Sequence, residues 1–182
     1  LRKDVLFHDG TRFDAAAMAF SIKRFLRIGT LNYVVGGKIA AVESPKPYLL
    51  RLRLRRPSSS LQGLLTSFNL TPVSPKAYSQ YADKFLNKSF VGTGPYQLTN
   101  FRSQQQRLEP FPLYWNTPAS NEGIDFIHLN NSTALFVALQ TGEIDVLISN
   151  AIDEDQRLAL HQMAKRGEIR EGGGNALEIG YI

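Results

Sequence analysis

Short strand-like and helical segments alternate along the whole sequence, and this alternation limits the possible folds more than any other feature. Apolar runs between turn residues predict strands, for example 50–55 and 123–130. Amphipathic segments that follow Asp, Ser or Asn predict the helices between them. A chain that alternates in this way builds layers of helix and sheet. We therefore predict an α/β fold.

The clearest predicted helix begins at Asp14 and ends before Gly29. Asp14 is a suitable N-cap, because its carboxylate accepts hydrogen bonds from the N–H groups of the first turn. The Asp9-Gly10 pair upstream predicts a tight turn after a strand, since Gly tolerates positive φ. Apolar residues recur at helical spacing and predict a buried stripe. The stripe consists of Met18, Ile22, Phe25 and Leu26.

Further local signals predict the ends of other elements. Ser74, followed by a proline, predicts the start of a helix. Gly142 predicts the end of another helix, with a strand after it. Asp153 with Gln156 three residues later resembles a capping box that opens a third helix. Residues 91–111 predict a turn followed by two antiparallel strands.

Leu and Arg alternate from Leu50 to Arg55, which is the period of a strand with one apolar and one exposed face. The net charge of +5 is too small to argue for a nucleic-acid partner. Long Arg side chains also protect an exposed strand from pairing with another chain. We predict a solvated strand, and not a binding surface, at this position.

Composition excludes several classes of active site. The sequence has no Cys, which excludes disulfides, thiolate catalysis and Cys-ligated metals. Its three histidines lie far apart and have no metal-ligand spacing, and no G-x-S-x-G motif is present. No apolar run reaches the roughly 18 residues of a membrane span. We expect neither an enzyme nor a bound metal or cofactor.

Two short motifs have a structural and a functional interpretation. The G-x-G of "GTGP" at 92–95 is one element of a phosphate-binding loop, but the β-prone residues after Pro95 do not open a helix. We predict a structural turn there. Trp115 beside Tyr114 is either a packing anchor or a platform for stacking a ligand, and we favour packing.

Four blocks, in this order, resemble the family 5 extracellular solute-binding proteins, the dipeptide, oligopeptide and nickel-type receptors of bacterial ABC importers. In the first block the family's usual Asp-Val is replaced by Ala17-Met18, whereas its aromatic, D-G and aromatic-Ser positions are kept. The blocks are "LRKDVLFHDGTRFDAAAMAFSIKR" (1–24), "VGTGPYQLTNF" (91–101), "LYWN" (113–116) and "ALQTGEIDVL" (138–147).

The resemblance implies a fragment of a type II periplasmic-binding-protein (venus-flytrap) fold. Residues 1–58 would form part of the family's small extra domain. Residues 59–182 would form part of the first ligand-binding lobe, a mixed sheet with helices, and would end at the hinge. The second lobe would lie outside this sequence. The opening "LRKDVLF" is not a signal peptide, and we expect the sequence to begin inside a fold.

The function implied is that of a monomeric receptor without catalysis, which captures di- or oligopeptides and delivers them to an ABC permease in the membrane. Its location would be periplasmic or, as an anchored lipoprotein, at the cell surface. Alternatives are a receptor for a nickel chelate or another small solute, and a ligand-sensing module of a transcriptional regulator. The loop "SFNLTPVS" lacks the Arg expected of the nickel subgroup, which favours peptides.

The same resemblance implies ligand contacts at three places. They are Tyr33, the loop of Phe68, Asn69 and Thr71, and Tyr181 near the hinge. Peptide receptors of the family hold an extended backbone through strand-like hydrogen bonds. A packing role competes with ligand binding at each of these positions.

Overall fold

The computed structural model describes residues 1–30, 32–79, 90–148 and 152–172. The contacts divide the chain into two compact units, Leu1–Ile127 and His128–Ile182. The predicted boundary after residue 58 lies inside the first unit, and the division into a small domain and a lobe stays a prediction.

The described part of the first unit contains two antiparallel sheets and four short or medium helices, in keeping with the predicted alternation of helices and strands. Strands β1 and β2 form one sheet, and the other has the strand order β3-β4-β5. A single 3₁₀ turn, Phe68–Leu70, precedes α4. The elements are α1 (Ala15–Ile28), α2 (Asn32–Gly36), β1 (Ile39–Lys46), β2 (Leu49–Leu54), α3 (Leu61–Leu65), α4 (Pro75–Tyr78), β3 (Tyr96–Phe101), β4 (Gln105–Pro110) and β5 (Ile124–Ile127).

The described part of the second unit contains two helices, α5 (Ser132–Thr141) and α6 (Glu154–Lys165). Helix α5 ends at Gly142 in the left-handed conformation, with a φ of 75°, as predicted. Gly142 meets this requirement without strain because it has no Cβ.

Helix α1 forms as its caps predict. The Asp14 carboxylate accepts a hydrogen bond from the Ala17 N–H at 2.8 Å. At the other end the Gly29 N–H donates to the Phe25 carbonyl, also at 2.8 Å. On the predicted stripe Ile22 is fully buried, and the other three apolar side chains of the stripe lie against the same core cluster. The predicted helix is confirmed.

The Leu–Arg alternation forms strand β2, in which each Leu after Leu49 is half-buried and the Arg residues are exposed. Glu43 on β1 lies opposite Arg51. Its carboxylate pairs with Arg51 at 3.6 Å and with Arg53 at 3.0 Å. The predicted solvated face is therefore confirmed.

Among the described residues of the first unit, the buried apolar side chains form two core clusters. One joins α1 to the β1–β2 hairpin and contains Ile22, Val42 and Leu70. The other joins the opening segment to the start of α1 around Phe7, whose side chain has no exposed surface.

Three sequence predictions need correction or stay open. Residues 143–148 form no strand, and no described segment pairs with them. Asp153 caps α6 without a side-chain hydrogen bond, so the predicted capping box is wrong. Gln156 instead accepts a hydrogen bond from the Ser132 hydroxyl, which also accepts the Asp153 N–H at 2.8 Å. The predicted last strand, 176–182, lies outside the described residues.

Candidate ligand-binding site

Ser21 fixes the segment after the 3₁₀ turn against helix α1. Its hydroxyl donates to the Ala17 carbonyl at 2.9 Å and to the Val73 carbonyl at 3.2 Å. The same oxygen accepts the Val73 N–H at 2.9 Å. Because Ser21 is buried, this small hydroxyl replaces the backbone pairing that residue 73 would otherwise need. The segment is thereby held beside the last turns of α1.

A cavity of about 210 Å³ lies between the end of α1 and this segment. Positions 21, 24, 25 and 28 share one face of the helix, because side chains three and four residues apart are neighbours. In the sequence, this spacing of three and four residues identifies the side chains of α1 that form one wall of the cavity, which we call the helical wall. The described lining residues are Ser21, Arg24, Phe25, Ile28, Gly29, Thr30, Asn69, Thr71 and Val73.

Two of the predicted ligand residues, Asn69 and Thr71, meet at this cavity. Phe68 lies next to them in the 3₁₀ turn, and its ring is 80% exposed. Tyr33 lies on α2 and is 71% exposed. Neither of these two aromatic residues is among the described residues that line the cavity. Tyr181 lies outside the part of the chain that the structure describes. The sequence analysis missed Arg24, the cationic side chain of the helical wall.

Arg24 lies over the ring of Tyr78, with its guanidinium carbon 5.0 Å from the ring centroid. Burial raises the pKa of Tyr78, and this effect outweighs the opposing hydrogen bond at Val91 and the charge of Arg24. The phenol therefore stays neutral at physiological pH. This contact is a cation–π interaction at the edge of the cavity.

Hydrogen bonds to the His8 side chain hold the "GTGP" turn. The Gly92 N–H donates to His8 Nδ1 at 3.3 Å, and Nε2 of the same ring lies 3.1 Å from the Gly94 carbonyl oxygen. The His8 ring also meets Phe111 edge-on, with centroids 5.0 Å apart. The predicted structural turn is confirmed.

Trp115 has a packing role. Its side chain lies against the Phe7 cluster, and its Nε1–H donates to the Thr93 carbonyl at 3.2 Å. The Arg2 guanidinium lies 4.2 Å from the centre of the indole. Because the ring packs against this cluster and its N–H has a partner within the protein, the favoured packing interpretation is confirmed.

Asp9 joins the opening turn to helix α4. Its carboxylate accepts hydrogen bonds from the Ser74 hydroxyl at 2.5 Å and from the Thr11 hydroxyl at 2.6 Å. Burial acts to raise the pKa of Asp9. The hydrogen bonds from Ser74 and Thr11 and the charge of Lys76 outweigh burial, so the pKa is lowered from its ordinary 3.8. Ser74 also caps α4, because it accepts the Ala77 N–H at 3.3 Å.

We expect Asp9→Asn to lower the free energy of unfolding at pH 7 by about 1–2 kcal/mol, because it weakens charge-assisted hydrogen bonds. The lowered pKa means that the unfolded chain binds the proton first as pH falls. The contribution of Asp9 is therefore complete above its unfolded pKa and is lost as pH falls through the folded one. Urea unfolding at pH 7 and pH 3 measures this difference.

The control for that experiment is Asp4→Asn, which changes an exposed carboxylate near the same end of the chain. Its effect should be within about 0.5 kcal/mol at both pH values. An Asp9→Asn variant that loses as much stability on acidification as the parent would contradict the assigned role.

The described residues contain no group of three or more His, Cys, Asp or Glu side chains that could hold a metal ion. None of the helices in the described ranges has the length and apolar character needed to cross a membrane.

Comparison with solved structures gives the same fold. The chain is similar to the binding protein MoaA of A. tumefaciens R10 in complex with mannopinic acid, with a TM-score of 0.79 and 27% identity over 91% of this chain and 34% of that one. It is also similar to DppA of Helicobacter pylori in complex with the peptide STSA, with a TM-score of 0.75 and 22% identity over 89% of this chain and 36% of that one. Both likenesses confirm the predicted type II periplasmic-binding-protein fold.

Sequence comparison points to one family. The glutathione-binding protein GsiB of Salmonella paratyphi A is 29% identical over 147 residues, which cover 79% of this chain and 28% of the relative. The chain thus spans less than a third of the length of this relative. The profile of the bacterial extracellular solute-binding proteins, family 5 Middle, matches residues 1–179. The chain belongs to family 5 of the bacterial extracellular solute-binding proteins.

Proposed function

We propose that this chain is part of the substrate-binding component of an ABC importer, which captures di- or oligopeptides and delivers them to a membrane permease. The observation that carries the proposal is the family match over residues 1–179. The likeness to a glutathione-binding protein supports a peptide ligand, because glutathione is itself a tripeptide. Family membership also supports a receptor that binds its ligand without catalysis. It supports a periplasmic location or, for an anchored lipoprotein, a location at the cell surface.

In this proposal, residues 1–58 belong to the small extra domain and 59–182 to the first lobe. The peptide lies against the cavity beside α1. Asn69 and Thr71 supply polar contacts, and the exposed ring of Phe68 covers an apolar part of the ligand. Tyr33 and Tyr181 contribute further contacts. Closure of two lobes around the peptide would then produce the form that the permease recognises.

Calorimetry with a pool of di- to pentapeptides tests the proposal on the protein as its gene encodes it. We expect saturable binding, and we expect Phe68→Ala with Asn69→Ala to weaken it by at least about tenfold, since an aromatic contact and a hydrogen bond are lost together. The matched control is Arg51→Gln with Arg53→Gln, which changes two exposed side chains of the same unit. Affinity should stay within about threefold. A protein that binds no peptide would refute the proposal.

A second candidate is a small solute that is not a peptide. The likeness to MoaA, which was solved with mannopinic acid, favours it. Calorimetry also distinguishes a peptide ligand from a small solute that is not a peptide. Binding of a sugar–amino-acid conjugate, together with no detectable binding of the peptide pool, would establish the second candidate.

A further inference from the structure

The polar side chains around the cavity use their protons within the protein. The hydroxyl of Ser21 donates to a backbone carbonyl at 2.9 Å, and the hydroxyl of Thr71 donates to another at the same distance. The Asn69 amide donates to the Ser67 hydroxyl at 3.3 Å. Carbon surface and oxygen lone pairs are what these residues still offer to a ligand.

Apolar side chains line the cavity on both of its walls. Phe25 and Ile28 belong to the helical wall, and Val73 belongs to the segment that Ser21 holds in place. An added Cβ at Gly29 would lie 2.4 Å from the Phe25 ring, so the missing side chain leaves room for the ring beside the helix end. All three apolar side chains are only half-buried, which leaves carbon surface for a ligand to cover.

The charges near the cavity favour an uncharged occupant. No acidic side chain is present among the described lining residues, so a cationic group would meet no carboxylate there. The C-terminal end of α1, where Ile28 and Gly29 line the cavity, carries a partial negative charge that opposes an anion. The Arg24 guanidinium lies over the Tyr78 ring, and this contact engages its charge within the protein.

We propose that this cavity receives one uncharged aliphatic side chain of the captured ligand, such as that of valine or leucine. The inference rests on the proposed function, because it assigns one part of the captured peptide. At about 210 Å³ the cavity is smaller than a site for a whole drug-sized ligand, so it holds a single side chain and the ligand backbone lies outside it. The backbone lies beside Asn69 and Thr71, whose oxygens accept its N–H groups.

Tripeptides of equal net charge test the assignment on the protein as its gene encodes it. Two residues of each peptide are glycine, and the third, placed first, second or last, is alanine, leucine or asparagine. At one of these positions we expect calorimetry to give at least about tenfold tighter binding with leucine than with alanine, because each buried CH₂ group strengthens binding by about fourfold. Asparagine has as many side-chain heavy atoms as leucine, but its amide must lose water, so its peptide should also bind at least about tenfold more weakly than the leucine peptide.

Variants of the two walls locate the effect, and the ratio of the leucine to the alanine affinity is compared among them. Val73→Thr keeps the shape of the side chain and adds a hydroxyl, whereas Ile28→Ala removes carbon from the helical wall. Each should lower the ratio by at least about threefold. Val137→Thr makes the same change at an exposed position of α5 and should leave the ratio unchanged. Thermal unfolding of each variant, followed by circular dichroism, confirms that it is folded at the temperature of the titration.

The possible outcomes separate this inference from the proposed function. Equal affinities for the leucine and alanine peptides at all three positions would overturn the side-chain assignment and leave peptide capture standing. An asparagine peptide that binds as tightly as the leucine peptide would overturn it too, as would a preference for leucine that survives in both Val73→Thr and Ile28→Ala. Failure of every tripeptide while the peptide pool binds would also overturn it. A protein that binds no peptide at all would refute both proposals.

Discussion

Phe7→Ala is expected to lower the free energy of unfolding of the first unit by about 3–5 kcal/mol. The Phe7 side chain has no exposed surface and meets the Phe13 ring edge-on, with centroids 6.0 Å apart. The cluster around it closes the opening segment onto α1, so truncation leaves a cavity that neighbours on different segments cannot fill. Urea unfolding followed by circular dichroism measures the loss.

Phe68→Ala is the matched control, since it removes the same atoms from a ring that is 80% exposed. Its free energy of unfolding should stay within about 0.5 kcal/mol of the parent. A similar loss in both variants would show that the Phe7 cluster is not the core of the unit.

Gly123→Ala is expected to lower the free energy of unfolding by about 2–4 kcal/mol. Gly123 has a φ of 147°, which is strained for any residue with a Cβ. An added Cβ would lie 2.6 Å from the Leu108 carbonyl oxygen and 2.7 Å from the Arg107 guanidinium. The side chain of Arg107 can move, but the carbonyl belongs to strand β4, which pairs with β5 at Leu108. Relief therefore requires the sheet to shift.

Gly63→Ala is the opposite case within the same unit. Gly63 lies inside helix α3, and an added Cβ would meet no atom within 4 Å. We expect it to raise the free energy of unfolding by about 0.5–1 kcal/mol, because alanine has the higher helix propensity. Thermal unfolding of the two variants side by side should give shifts of opposite sign. A destabilised Gly63→Ala variant would contradict this account.

The elements that could be predicted are those fixed by local chemistry. Asp14 and Ser74 each accept an N–H within their own first helical turn, and Gly142 adopts its positive φ alone. In their role as helix caps, none of these groups needs a distant partner, so the sequence of a few neighbouring residues is enough to predict each of these helix ends. The Leu–Arg strand was also predictable from its local sequence. Its apolar and charged residues alternate with a period of two because one face of the strand is exposed to solvent.

The errors arose where a distant residue supplies the partner. Gln156 does not close a capping box, because Ser132, 24 residues away, occupies its amide oxygen. Helix α2 was missed because its sequence, Asn32–Gly36, has β-branched and Gly residues. It is held instead by burial of Val35 and by a hydrogen bond from the Asn32 amide to the Leu26 carbonyl.

The candidate site was predictable only in part. Asn69 and Thr71 were identified from the resemblance, and both line the cavity. Arg24 was missed because a cation late in a helix is also what the helix dipole favours, so its position alone did not separate the two roles. Only the segment that Ser21 holds in place makes Arg24 part of a cavity.

The hydrogen bonds that Asp9, Ser21 and His8 make across the first unit also bear on how quickly it folds. They join residues 65, 52 and 86 positions apart, and in each the early partner lies within the first 21 residues. Contacts of such long sequence separation slow folding, because chain entropy is lost before they form. During synthesis the opening segment must therefore wait for residues 92–94 to emerge from the ribosome. Until the later residues have been made, the Phe7 cluster also lacks Val91 and Trp115, two of the apolar side chains that pack against it in the folded protein.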